Sequence, residues 1–210
     1  MAEHNESAVA KLQAMAEMQD AHNIQVHPDW REQGYGYYRA IWVECAEMLD
    51  HFGWKWWKAQ SPDLEQVKLE LVDIWHFALS ELMRANSLSD EMGSQLASIP
   101  LEEGDAERFR CAIEDLAQSA LQTKSFELEP FIEAMRSLPM SYDELFDLYI
   151  GKNVLNHFRQ DHGYKTGEYK KVWQGREDNE HLIELLDDLA GSPKDLPELL
   201  YKGLEARYPQ

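Results

Sequence analysis

Ser61-Pro62-Asp63 opens a stretch that runs to Arg84 and holds Glu70-Leu71-Val72-Asp73-Ile74-Trp75-His76-Phe77 at its centre. The spacing predicts one long helix from about Asp63 to about Arg84. Ser61 can accept bonds from free backbone N–H groups, and Pro62 is tolerated in a first turn. Leu69 to Met83 is the most apolar part of the chain, yet it carries Glu70, Asp73, His76 and Glu81. Those charges bar it from crossing a bilayer. Glu70 and Asp73 stand three apart and share a helix face.

The segment upstream repeats the pattern. Tyr38 to Phe52 reads as a helix that stops at Gly53, and it carries Glu44 and Glu47, again three apart. Gly53 to Lys58 is a short Trp-rich link. If the two helices pack antiparallel across it, four carboxylates converge. They would sit among Ile41, Trp42, Val43, Met48 and Leu49 on one side and Leu69, Leu71, Val72, Ile74 and Trp75 on the other. Acids in such surroundings are costly unless something pairs with them. No run of Lys or Arg matches them, and an all-oxygen set suits magnesium or manganese better than zinc or copper. On the residues alone, two other readings stay open. One is a solvated acidic face; the other is a di-iron bundle, of which Asp73 and His76 would form half of one carboxylate–histidine motif.

The remainder also reads as helical. Ala8 to Met18 shows an apolar stripe, and Ile24 to Tyr37 reads as a connector because it holds Pro28, Gly34 and Gly36. The acidic region 86–139 should hold two or three helices with breaks near Gly93, Pro100, Gly104 and Pro130. Ser141-Tyr142-Asp143-Glu144 fits a capping box that opens a helix to about Asp161. Gly163 to Gly175 is a glycine-punctuated loop. Glu177 to Ala190 is a helix ended by Gly191, and Ser192-Pro193 starts a last helix to about Arg207. The fold class is therefore all-α: a bundle-like domain spanning 1–210, with a four-helix metal-binding core and a mobile C-terminal Gly/Lys-rich loop.

Charge sharpens this. The 210 residues hold 39 acids against 20 basic residues, a net charge of −19. Such a molecule repels nucleic acid and anionic membranes. Yet Gly151 to Arg176 carries Lys152, Arg159, Lys165, Lys170, Lys171 and Arg176 against only Asp161 and Glu168. This basic segment is either a solvated loop or a polyphosphate cradle, in which glycines let the backbone approach a ligand. The chain has neither a Walker nor a Rossmann glycine motif. Cys45 and Cys111 are the only cysteines. Zinc fingers and disulfide scaffolds are excluded, and a reducing, cytoplasmic location is expected. No signal peptide is expected at Met1 to Gln19. An acidic metal cluster beside a basic loop suggests a nucleoside polyphosphate ligand.

The ordered motifs resemble a known family. Glu44-Cys45-Ala46-Glu47, Gly53 to Lys58 and Glu70 to Phe77 resemble the metal-binding half of the dimeric all-α dUTPases. Lys152-Asn153-Val154-Leu155-Asn156-His157-Phe158-Arg159, Gly163 to Tyr169 and Gly175 to Asn179 resemble that family's C-terminal phosphate motif. The region 86–139 matches no motif. The resemblance implies magnesium-dependent hydrolysis of dUTP, and of dUDP, to dUMP by a homodimer that limits uracil in DNA. It implies that Glu44, Glu47, Glu70 and Asp73 hold Mg2+ or Mn2+, with Glu47 activating the water that attacks the β-phosphorus. Arg159, Lys165 and Lys171 would bind phosphates, and Asn156, Tyr164 and Asn179 would help close the site. Gln19 and Asn23 would read uracil, with Trp56, His76 and Phe77 packed round the base or sugar. A related pyrophosphatase acting on dCTP or a modified nucleotide shares the metal set. A non-enzymatic acidic scaffold is the remaining alternative.

Overall fold

The computed structural model describes residues 2–101, 103–189 and 196–209. Its elements are helical apart from one two-stranded ribbon, and the chain divides into two compact units, Met1–Phe146 and Asp147–Gln210. No helix among the described residues is long and apolar enough to cross a membrane.

The first unit contains α1 (Ala2–Val26), α2 (Tyr37–Phe52), α3 (Leu64–Arg84), α4 (Asp90–Ala97), α5 (Ala106–Thr123) and α6 (Leu128–Ser137). α2 and α3 pack most extensively, forming a hairpin closed where the Asp63 N–H donates to the His51 carbonyl at 3.0 Å. α3 starts within one residue of the expected Asp63, but its cap is displaced by two. Asp63, not Ser61, caps α3 by accepting from the Gln66 N–H, and Pro62 lies outside the helix. Gly53 ends α2 at φ +91°, a conformation that disfavours any residue with a Cβ. The Gln60 side chain lies against it and accepts from the Trp54 and Lys55 N–H groups at 3.1 and 2.7 Å, so the Trp-rich link is pinned.

The core of this unit is buried around α3. Val67, Leu71, Ile74, Trp75 and Leu79 are inaccessible, as are Met15, Ile41, Met48 and Phe131. Trp75 stacks on Phe131 with ring centroids 5.2 Å apart. Two expectations fail here. α1 runs past Met18 to Val26, so Ile24 belongs to a helix and not to the connector. Gly93 does not break α4; a Cβ there would lie 3.0 Å from the Ala8 carbonyl, so the missing side chain lets α1 and α4 approach. The break expected near Pro130 falls at 124–127, and Pro130 itself sits in the first turn of α6, where its absent N–H costs nothing.

α7 (Tyr142–Asp161) runs from the first unit into the second. The Glu144 N–H donates to Ser141 Oγ at 3.1 Å, one half of the expected capping box, while the Glu144 carboxylate pairs with Lys68. The second unit continues with β1 (Val172–Trp173), β2 (Arg176–Glu177), α8 (Asp178–Asp188) and α9 (Leu196–Arg207). Its core is built on Leu155, Phe158, Trp173, Leu182, Leu200 and Leu204. Part of the expected loop is this hairpin. Gln174 and Gly175 both have positive φ, the two-residue turn that matches strand twist. Glu177 and Glu180 form a reciprocal capping box at the start of α8. The helix end expected at Ala190 and Gly191, and the start at Ser192-Pro193, lie outside the described residues.

Candidate active site

The α2–α3 hairpin brings three of the four expected acids together. Glu44, Glu47 and Glu70 each offer a carboxylate oxygen, all within 4.8 Å of one another. Glu70 is buried, Glu44 is half-buried and Glu47 is exposed. Asp73 lies one turn further along α3. It falls outside that tight group, yet it is the strongest charge acting on Glu44. Burial, then the charges of Asp73 and Glu70, a hydrogen bond with Glu70 and the charge of Glu47 push the Glu44 carboxyl up to about 9. His51 Nε2 lies 3.5 Å from Glu70 Oε1, a neighbour that the ExxE spacing alone did not reveal.

Crowded like charges at a partly buried position are what a divalent cation relieves. The donors are carboxylate oxygens with no sulfur or ring nitrogen in the tight group, which suits a hard ion. The residues present therefore fit a divalent metal.

A second cluster lies further along α3. Gln19 and Asn23 project from α1 and are 4% and 7% exposed. Gln19 Oε1 sits 2.7 Å from His76 Nδ1, and Gln19 Nε2 donates to Asn23 Oδ1 at 3.1 Å. Both amide nitrogens donate to Ser80 Oγ, at 3.1 and 2.9 Å. Three residues singled out in the sequence thus meet in space, together with Ser80, which had no motif to mark it. Beside them, burial pushes the Tyr37 phenol up to about 12, with Tyr35 and Glu81 adding to the rise and Ser80 and Arg84 opposing it. Tyr37 is therefore protonated at neutral pH. Phe77 is half-buried on the same helix.

Trp56 does not join this cluster. It is 90% exposed on the link that precedes α3, and His76 lies about 18 Å along the helix from Leu64. Trp54, Trp56 and Trp57 instead line a groove of about 830 Å3 with Phe52 and Arg110.

In the second unit, the residues expected at phosphates fall into two groups. Lys165, Lys171 and Tyr164 are exposed, and Lys171 pairs with Glu177 at 3.0 Å. Arg159 grips the fully buried Asp178 through two bonds of 2.8 and 2.9 Å and also donates to Asn156 Oδ1 at 3.3 Å. Burial alone would raise the Asp178 carboxyl, but the bonds from Arg159, helped by Tyr169 and Lys152, hold it below the ordinary carboxylate range. Asn179 is buried and accepts from Lys152 Nζ at 3.2 Å. Lys152 was counted as part of a basic loop; it is a buried residue of α7, 1% exposed.

The fold and the acid cluster define an all-α protein with a candidate site for a divalent ion. A family model described as dUTPase matches residues 11–164. The chain belongs to this dUTPase family, and its reaction is the hydrolysis of dUTP. The matched span includes Gln19, Asn23, the four acids, His76, Asn156, Arg159 and Tyr164; Lys165, Lys171 and Asn179 lie beyond it. No curated protein matches the chain.

Proposed function

We propose that the enzyme converts dUTP, and also dUDP, to dUMP with Mg2+ held by Glu44, Glu47, Glu70 and Asp73, and that Mn2+ can replace it. The observation that carries this reading is the meeting of Glu44, Glu47 and Glu70 within 4.8 Å at the α2–α3 hairpin. A bound divalent ion supplies charge neutralisation at phosphate oxygens and a more acidic water. Glu47, the exposed member of the trio, accepts the proton of the water that attacks the β-phosphorus. Gln19 and Asn23 bind uracil, because a side-chain amide carries both a donor and an acceptor. His76 orients Gln19, and Phe77 presents an apolar wall where a ribose 2′-hydroxyl would fall.

Arg159, Lys165 and Lys171 are assigned to phosphates, with Asn156, Tyr164 and Asn179 as supporting polar groups. The Asp178 pairing makes Arg159 the least available of the three cations. We further propose that residues 1–210 act as one domain, that the enzyme is a cytoplasmic homodimer, and that it limits uracil incorporation into DNA. Exposure of Trp54, Trp56 and Trp57 supports the dimer, since such a cluster is rarely left in water.

Product analysis tests the reaction. Incubation of dUTP or dUDP with Mg2+ should yield dUMP plus pyrophosphate or phosphate respectively, and chelation should stop both. Full turnover in a chelator would remove the metal from the reading, and inert dUDP would remove the second substrate.

A further inference from the structure

Ser80 lies one turn beyond His76 on α3 and has no accessible surface. Its hydroxyl donates to the His76 carbonyl at 3.0 Å. A hydroxyl that has given up its only proton can only accept from its other neighbours. Those neighbours are Gln19 Nε2, Asn23 Nδ2 and the Tyr37 phenol. Both amides are thereby held with their nitrogens towards Ser80 and their oxygens turned away.

The polarity then propagates. Gln19 Nε2 gives its second proton to Asn23 Oδ1, and Gln19 Oε1 faces His76 Nδ1, which must donate. His76 is fixed as the tautomer with the proton on Nδ1. Taken by itself, the row Asn23–Gln19–His76 could also run in reverse. Asn23 Nδ2 would then donate to Gln19 Oε1, Gln19 Nε2 would donate to Nδ1, and His76 would carry its proton on Nε2. Ser80 is what separates these two arrangements, because the second would turn both amide oxygens towards a hydroxyl whose proton is already on the His76 carbonyl.

We propose that Ser80 is a positioning residue that sets the base selectivity of the enzyme. In the orientation that Ser80 imposes, Asn23 has a second N–H and a second Oδ1 lone pair with which to meet O4 and N3–H of uracil. Cytosine offers an amino group and a bare N3 at the same places, so both contacts clash in polarity. A reversed Asn23 would accept cytosine instead. The inference rests on the reading that Gln19 and Asn23 bind the base.

The test compares kcat/KM for dUTP and dCTP in the wild type, Ser80→Ala and Ser80→Thr, together with nitrogen NMR shifts of the His76 ring. The wild type should favour dUTP and carry its ring proton on Nδ1. Ser80→Ala should lower the dUTP-to-dCTP ratio about tenfold or more and mix the tautomers, as expected when a donor–acceptor match is no longer enforced. Ser80→Thr keeps the oxygen and should restore both. An unchanged ratio in Ser80→Ala overturns the proposal. So does a wild-type His76 protonated on Nε2, a result that needs no variant to fold. A wild type indifferent between dUTP and dCTP would remove the assignment of Gln19 and Asn23 to the base, and the proposal with it.

Discussion

Glu70 and Ser80 stand ten residues apart on one face of α3, about 15 Å along its axis, with Asp73 and His76 between them. One helix thus carries an acid cluster at one station and a hydrogen-bonding cluster at the other. The separation is comparable to that between a nucleobase and its distal phosphates. The partners arrive from different helices: Glu44 and Glu47 from α2, Gln19 and Asn23 from α1. If the two clusters carry the proposed roles, selectivity and hydrolysis can be perturbed separately.

Glu47→Gln should leave the melting temperature near that of the wild type, because Glu47 is exposed. Its kcat should fall by about a hundredfold or more, the usual cost of losing a general base. Steady-state kinetics beside a thermal melt check this, and near-normal turnover excludes the role.

Glu44→Gln separates metal binding from folding. Without a cation the raised pKa leaves Glu44 protonated at neutral pH, so the neutral amide mimics its resting state. The metal-free melting temperature should therefore change little. The wild type should gain about 2.7 kcal/mol at a Mg2+ concentration a hundred times its Kd, and the variant should gain far less. Thermal melts across a Mg2+ titration measure both; equal gains would contradict the assignment.

Much of this arrangement was legible in the sequence because helical spacing is a local code. Two acid pairs at three-residue intervals, flanked by large apolar residues, fix which faces of α2 and α3 turn inward. The all-α class and the hairpin follow from the same periodicity. Ser80 was not legible, because a lone serine in a helix has no periodic signature and its role depends on residues some sixty positions away. Lys152 was misassigned because charge counts carry no information on burial; Asn179 satisfies it from α8. Gly93 misled because a helix tolerates glycine at a close crossing.

Asp178→Asn should destabilise the protein by about 3 kcal/mol, because it leaves the mostly buried Arg159 guanidinium without its counter-charge. The Asp178 carboxyl is held below its ordinary 3.8, so its contribution is complete above that pH and is lost as pH falls through the folded-state value. Urea melts of both proteins should differ fully at pH 7 and converge towards pH 2. A constant difference across that range would contradict the pairing.

Lys165→Ala should raise the KM for dUTP about tenfold while leaving the melting temperature unchanged, since the residue is exposed. Unaltered KM and kcat would remove Lys165 from the phosphate set.

Anomalous scattering from crystals soaked in Mn2+ should show a peak bonded to oxygens of Glu44, Glu47 and Glu70. An enzyme that hydrolyses dUTP with Mn2+, yet shows its anomalous peaks only away from these carboxylates, would contradict a catalytic cation held by Glu44, Glu47 and Glu70.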